Sequence, residues 1–362
     1  MRRVGLIGTG LVGGSIGLAL RRAGVTVCGF DHDAGRLEAA VASGAVDDAV
    51  TSLRDATGDA DVVVVAVPVG QLAPTVISVL DAGAAVVTDV GSVKAPVVDE
   101  VQRSRPRLAP RFVGGHPMAG SEQDGISGAD ADLFTGATWV LTPTDHTEVG
   151  AFTAVRSFVG LLGAEVLAVA PEHHDALVAM VSHVPQLAAT TLMDVAATRG
   201  EEHATLLRLA AGGFRDMTRI AAGHPSIWPD ICVANRDAIV AALDEYRGAL
   251  DTVRALVDTR DRAGLLEVLE RARTARRSLP RGLDADEGLA ELRVPIPDRP
   301  GSLAEVTTLA GTIGVNIADV EIAHSVEGGG GVLVLIVGAR HADAFSGALS
   351  ARGYHPARTE LP

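Results

Sequence analysis

The chain has 362 residues, 47% of them hydrophobic and 21% charged, with a formal net charge of −14. That length suits two or three domains of roughly 100–200 residues each, and the composition is that of a globular protein with an ample core. The negative balance argues against a nucleic-acid or anionic-membrane surface, because each needs a basic patch.

At the amino terminus, two arginines precede an uncharged run from Val4 to Leu20, which imitates a signal peptide. Gly5, Gly8, Gly10, Gly13, Gly14 and Gly17 interrupt that run, and a secretory apolar core tolerates such a pattern badly. No other segment reads as long enough to span a bilayer, so a cytoplasmic protein is expected. Cys28 and Cys232 lie far apart and form neither a metal spacing nor a disulfide framework. They read as buried thiols of a reducing compartment, and no metal site is expected.

Residues 3–8 read as a buried strand. Gly8-Thr9-Gly10-Leu11-Val12-Gly13 then matches G-x-G-x-x-G, with an apolar helix over Ser15–Ala23 and a second strand from Val25 to Asp31. Strand, glycine turn, helix, strand and acid is the context of a dinucleotide fingerprint. The glycines let the backbone approach a pyrophosphate seated on the helix N-terminus. Asp31, 18 residues after Gly13, suits the hydroxyls of the adenine ribose and repels a 2′-phosphate. The expected cofactor is therefore NAD, held by Gly8, Gly10, Leu11, Val12, Gly13 and Asp31. Arg36 reads as a solvated helix residue.

Asp61–Pro68 is a continuous apolar strand of the kind covered on both faces of a parallel sheet, and it places Val67 and Pro68 on the cofactor side. A helix over 72–80, a strand over 85–92 and a helix from Val93 follow. Phe112-Val113 leads into VGGHPMAGSE (113–122), which reads as a stiff turn carrying His116. Trp139–Thr142 closes the sheet region. The pattern predicts a doubly wound α/β domain whose ligands bind at the carboxyl ends of the strands. Ser92 and His116 fall just past such ends. Ser92 also suits an N-cap for the helix from Val93. Residues 171–285 show helical periodicity over 173–199, 204–219 and 237–277, with Pro185 inside a helical pattern. The tail reads as strand, helix, strand, strand, helix in about 70 residues, a ferredoxin-like order. The predicted domains are a dinucleotide-binding domain over 1–168, a helical domain over 169–286 and a small α+β domain over 290–362.

Five segments together resemble the prephenate dehydrogenase family, which includes arogenate dehydrogenases: GTGLVGGS (8–15), DVGSVK (89–94), GGHPMAGSE (114–122), SHVPQ (182–186) and GGFRDMTRIA (212–221). The resemblance implies a homodimer joined through the helical domain. It implies NAD-dependent oxidative decarboxylation of prephenate to 4-hydroxyphenylpyruvate in tyrosine biosynthesis, or of arogenate to tyrosine. By the same resemblance His116 is the catalytic base, with Ser92 beside it and also near the cofactor. Arg219 clamps a substrate carboxylate, and Gln186, His174, Ser182, Ser121, Glu122, Asp216 and Trp228 complete the substrate site. Lys94 belongs to the second motif, but a surface role suits it equally. Two positions depart from the family pattern: Gln186 stands where many prephenate-specific members carry histidine, and Gly223 where a serine is common. The segments DRPGSL (298–303) and GVNI (314–317) resemble an ACT domain. That implies an aromatic amino acid effector near Asp298, Gly301 and Asn316, with tyrosine ahead of phenylalanine. A hydroxyacid or ketol reductase on the same plan would need a lysine in its helical domain, and Lys94 is the last lysine of the chain. A purely NAD-sensing protein would leave His116, Ser92 and Arg219 unexplained.

Overall fold

In the computed structural model, residues 1–120, 123, 125–202, 206–278, 289–297, 299–324 and 331–361 are described. They fall into two compact units, Met1–Thr252 and Val253–Pro362.

The first unit opens with β1 (Arg3–Ile7), α1 (Leu11–Arg22), β2 (Thr26–Phe30), α2 (Ala34–Ala42), β3 (Asp48–Ala49), α3 (Leu53–Thr57), β4 (Val62–Val65) and α4 (Val69–Asp81). It continues with β5 (Val87–Asp89), α5 (Ala95–Ser104), β6 (Phe112–Pro117), β7 (Thr138–Thr142), α6 (Val149–Leu161) and β8 (Glu165–Ala168). The strands form one sheet in the order β3-β2-β1-β4-β5-β6-β7-β8. β1 to β6 are parallel, β7 runs antiparallel to β6, and β8 is parallel to β7. The chain order reverses between β1 and β4, so the ligand crevice lies at their carboxyl ends. β4 shows why this sheet is covered twice. Val62 and Val64 enter one apolar core with Ile16 and Phe158, while Val63 and Val65 enter the other with Leu72 and Val98. All four are fully buried, a contribution of roughly 1.5–3 kcal/mol each as an upper bound.

Three sequence expectations change here. The short strands β3 and β8 were not legible: β3 is two residues long, and β8 is four, Glu165 and the first three residues of a short apolar run, Val166 to Ala170. The segment over 113–122 is not a turn at its start. Phe112 and Val113 pair with β5, and Gly114 to Pro117 pair with β7 once the pairing with β5 has ended. His116 therefore rides on a strand that outruns its neighbour.

The helical part begins with α7 (Pro171–Val178), a π-helical turn over Ala179–His183, and α8 (Val184–Glu202). Pro185 falls in the first turn of α8, just where the helix pitch changes, so its missing N–H is tolerated. Contrary to expectation, the continuous run Pro171–Gly200 is long and apolar enough, by length and composition alone, to cross a membrane. Here it is a helix of the fold, because His174, Asp175 and His183 are buried polar groups hydrogen-bonded to neighbouring elements. α9 (Gly212–Thr218), α10 (Trp228–Ala234), α11 (Arg236–Asp258) and α12 (Arg262–Arg277) follow. The single stretch expected over 237–277 is broken at Arg260, whose φ of 57° is left-handed, and Asp261 caps α12 through the Gly264 N–H at 3.0 Å. Cys28 is buried as expected, but Cys232 is half-buried, and both are free thiols.

The second unit, which includes α12, continues with β9 (Leu289–Ile296), α13 (Ser302–Thr312), β10 (Ile317–His324), β11 (Gly331–Gly338), α14 (Ala339–Ser350) and β12 (Ala357–Leu361), and its four strands form an antiparallel sheet in the order β10-β11-β9-β12. Leu292, Val294, Leu309, Leu333 and Phe345 make its core. The order is βαββαβ, one strand more than expected.

Candidate active site

The three fingerprint glycines have three different reasons. Gly8 has φ +95°, and a Cβ there would lie 2.4 Å from the Ala66 carbonyl oxygen. A Cβ on Gly13 would lie 2.1 Å from the Gly8 carbonyl oxygen, so that glycine lets α1 press onto the loop. Gly10 meets nothing within 4 Å, and it stands at the N-cap of α1 without a side-chain cap. With no side-chain acceptor at that cap among the described residues, the first-turn amides of the helix suit a pyrophosphate. Leu11 and Val12 form its first turn.

Beside the loop lies a groove of about 240 Å³ lined by Ile7, Phe30, Asp31, Leu53, Val67 and Thr75. Pro68, next to Val67, stands at the N-cap position of α4. Asp31 accepts from the Thr9 N–H at 2.8 Å, the Thr9 hydroxyl at 3.0 Å and the Asp33 N–H at 3.0 Å. Burial pushes its carboxyl up, but the hydrogen bonds from Asp33 and Thr9 outweigh this and hold it below the usual range. It is a fixed anion, as a ribose-binding acid must be. The loop and groove together fit NAD.

Deeper in, strand β5 ends at Asp89, which accepts from the Gly91 N–H at 2.9 Å and the Gly115 N–H at 3.0 Å. It also pairs with Lys94, whose ammonium donates a second bond, of 2.8 Å, to the Gly115 carbonyl. The pair thus grips both polar groups of the residue before His116. Burial pushes the Lys94 ammonium down, and Asp89 opposes that shift. The expected surface alternative for Lys94 is excluded, since its side chain has no exposed area.

The glycine pair before His116 reflects crowding. A Cβ on Gly115 would meet the Asp89 carbonyl at 2.7 Å and Trp139 Nε1 at 2.9 Å, and one on Gly114 would meet Thr142 Oγ1 at 2.4 Å. His116 itself is half-buried at the strand end. Its Nδ1 lies 2.9 Å from Nε2 of His174, and His174 Nδ1 lies 2.8 Å from Oδ1 of Asp175. Burial holds the His116 imidazole well below its ordinary 6.5, with His174, Lys94 and His183 adding to the shift. A neutral imidazole near the cofactor crevice can accept a proton.

Asp175 also caps α5: its Oδ1 accepts from the Lys94 N–H and its Oδ2 from the Ala95 N–H, both at 2.8 Å. The helix starts at Ala95, so Ser92 is not its cap. Ser92 lies half-buried in the loop between β5 and α5. Asn235 closes the cluster by donating to the Asp175 carbonyl at 2.9 Å and to His183 Nδ1 at 3.2 Å. His183 is then an Nε2–H donor, and that atom has no partner among the described residues. Burial lowers the His183 imidazole to about 4, against Asp175 and with His174. Trp228, opening α10, meets the His183 ring edge-on at 6.1 Å.

The remaining expected residues spread along the helical part. Ser182 is half-buried on the π-helical turn, and Gln186 is buried in the first turn of α8. Asp216 is exposed on α9, and Arg219 opens the 3-10 turn Arg219–Ala222 that packs on α8. His174, expected to bind substrate, stands instead behind His116, 1% exposed, with both nitrogens engaged. Ser121, Glu122 and Asp298 lie outside the described residues. Asp175 and Asn235 were missed by sequence reasoning. Only adjacency to His174 marked Asp175, and nothing marked Asn235.

The chain is similar to proteins of known family. The family model described as prephenate dehydrogenase, nucleotide-binding domain, matches residues 16–168, and the one described as prephenate dehydrogenase, dimerization domain, matches residues 170–271. The prephenate dehydrogenase of Bacillus subtilis is 33% identical over 91% of this chain and 90% of its own. A crystal structure of prephenate dehydrogenase from Aquifex aeolicus, in complex with hydroxyphenyl propionate and NAD+, is similar with a TM-score of 0.70. It is 30% identical, over 77% of this chain and 99% of that one. A Synechocystis arogenate dehydrogenase structure is similar with a TM-score of 0.66 and 31% identity, over 76% of this chain and 98% of that one.

Proposed function

The chain belongs to the prephenate dehydrogenase family, and on that premise we propose that it catalyses the NAD-dependent oxidative decarboxylation of prephenate to 4-hydroxyphenylpyruvate. The observation that carries the reading is a half-buried His116 at the end of β6, its imidazole pushed toward the neutral form by burial, in the same sheet edge as a glycine loop and acid fitted to NAD. NAD supplies the hydride acceptor when bound. His116 takes the proton of the C4 hydroxyl as the C4 hydride leaves. The C1–carboxylate bond then breaks to release carbon dioxide, and its electron pair completes the aromatic ring. The resulting C4 phenolate takes a proton back, so the reaction consumes no net base. Ser92, half-buried in the loop between β5 and α5, is assigned as a hydroxyl partner of the base and cofactor.

Arg219 is assigned to a substrate carboxylate, because a planar guanidinium clamps one through two parallel bonds. Ser182, Gln186, Trp228, Asp216, Ser121 and Glu122 are assigned to the substrate side. Arogenate oxidation is the second reading. The buried Gln186 amide both donates and accepts, so it suits the keto group of prephenate or the ammonium of arogenate. Parallel steady-state assays of NADH formation with the two substrates test the reading. NADH formed faster with prephenate supports it, a preference for arogenate supports the second, and no turnover with either contradicts both.

The working form is proposed to be a cytoplasmic homodimer. The apolar side chains of Val181, Val195, Met217 and Val233 are exposed on the helical part and suit a second copy. Residues 290–362 are proposed to be an ACT-type regulatory module that binds tyrosine, or alternatively phenylalanine. Its βαββαβ order supports this. So does the groove lined by Gly301, Glu305, Thr308, Arg352 and Tyr354, with Gly301 left-handed at the start of α13 and Asn316 exposed before β10. Titration of both amino acids into the full chain and into a truncation ending near Asp286 tests it. Equal inhibition of the truncation, or no binding to the full chain, counts against it.

A further inference from the structure

We infer that His174 and Asp175 are positioning residues that set the tautomer of His116, so that Nε2 of His116 carries the lone pair offered to the substrate hydroxyl. The inference rests on the reading of His116 as the base.

The chain of hydrogen bonds has one consistent direction. Both carboxylate oxygens of Asp175 accept backbone N–H groups at the start of α5, which fixes that side chain as an acceptor. His174 Nδ1, 2.8 Å from Oδ1, must therefore carry its hydrogen. A neutral imidazole with Nδ1–H has a bare Nε2. His116 Nδ1 lies 2.9 Å from that nitrogen, so where both rings are neutral it is the donor. Its other nitrogen, Nε2, is left without a hydrogen and free to act as base. The same logic of an acid orienting a histidine through its second nitrogen underlies hydrolase triads.

The burial of His174 separates this role from direct substrate binding, because neither of its nitrogens is spare. Among the described residues, the other charged or titratable groups around His116 are Asp89 at the end of β5, Lys94 before α5 and His183 on the π-helical turn. Lys94 disfavours a second proton on His116 in the resting state. When His116 takes the substrate proton at Nε2, its Nδ1–H stays on His174, and the Asp175 carboxylate at the far end of the chain stabilises the new charge. The order is base, orienter and acid, with Asp175 tied to the amides of α5 so that none of the three can turn independently.

The test reads the resting protein as well as turnover. In the full chain labelled with 15N-histidine, above pH 7.5 and without substrate, His116 is assigned by the signal lost in His116→Asn. The expected spectrum shows a protonated Nδ1 and a bare Nε2. Asp175→Asn removes the carboxylate that fixes the chain, because a single amide oxygen cannot accept from both α5 N–H groups and from His174 Nδ1–H. kcat then falls on the order of 10²-fold or more, while KM for prephenate and Kd for NAD change by less than about threefold. His174→Leu, which keeps the Asp175 cap on α5, gives the same split and carries the test should Asp175→Asn not fold. His174→Gln keeps one donor and one acceptor and recovers part of the loss. A wild-type His116 protonated at Nε2 would overturn the inference, as would a His174→Leu protein with normal kcat and a raised KM. The spectra read the tautomer whether or not prephenate is the substrate, so the two readings fail separately.

Discussion

Lys94 and Asp89 form an ion pair in which neither side chain has any exposed surface. The sole lysine of the chain is thus spent inside the sheet edge, where with Asp89 it joins the end of β5 to both backbone polar groups of Gly115, the residue before His116. A buried pair of this kind adds little net stability over an apolar substitute, but breaking it strands a charge.

Lys94→Met should therefore destabilise the fold by about 3–5 kcal/mol, since Asp89 would keep its buried charge with only two amide donors. Urea unfolding of the two proteins at pH 7 checks this. A variant as stable as the wild type would show that the pair is not needed to hold Asp89.

Acid should weaken the fold through His183. Its folded value of about 4 lies below the unfolded value of roughly 6.5, so the unfolded chain binds a proton first as the pH falls. The stability contributed by keeping this ring neutral is complete above about pH 6.5 and is lost between there and pH 4, up to roughly 3 kcal/mol. The lowered His116 acts in the same direction. Unfolding of wild type and His183→Gln at pH 7 and pH 5 measures the difference. The variant should lose less stability on acidification than the wild type, and an equal loss would remove His183 from the account.

Much of this site was legible in residue types and little of it in partners. The apolar runs of β1 and β4 and the glycine fingerprint announce the sheet, because burial on two faces leaves a continuous signature. His116 and Ser92 stood out as polar groups near strand ends. The strand character of β6 did not, because Gly114, Gly115 and Pro117 suggest a turn. Those glycines answer to Asp89, Trp139 and Thr142, which no local pattern connects to them. Asp175 caps α5 from 80 and 81 residues away, and Asn235 reaches His183 across 52, so both roles exist only in the folded chain.

Asp31→Ser should weaken NAD binding and lessen the discrimination against NADP, by removing an anion that is held in place by Thr9 and Asp33. Arg36 is exposed, and its nearest acid is Asp33 at 3.9 Å, on its own helix end. Cofactor titrations by fluorescence give both constants. A wild-type protein that already prefers NADP would contradict the role given to Asp31.

Arg219→Lys should not restore what Arg219→Ala loses, because a point charge lacks the planar fork that holds a carboxylate. The change should fall mainly on KM for prephenate. A lysine variant with the wild-type KM would place the carboxylate elsewhere.

The most direct measurement compares the wild type with His116→Asn, following NADH formation from prephenate across pH alongside NAD affinity. The account predicts a kcat lower by on the order of 10²–10⁴-fold with NAD binding unchanged. The wild type should lose activity only as pH falls well below 6.5, since its base is held neutral by burial, and that acid limb should vanish in the variant. Turnover by His116→Asn at the wild-type rate, with the acid limb intact, would contradict it.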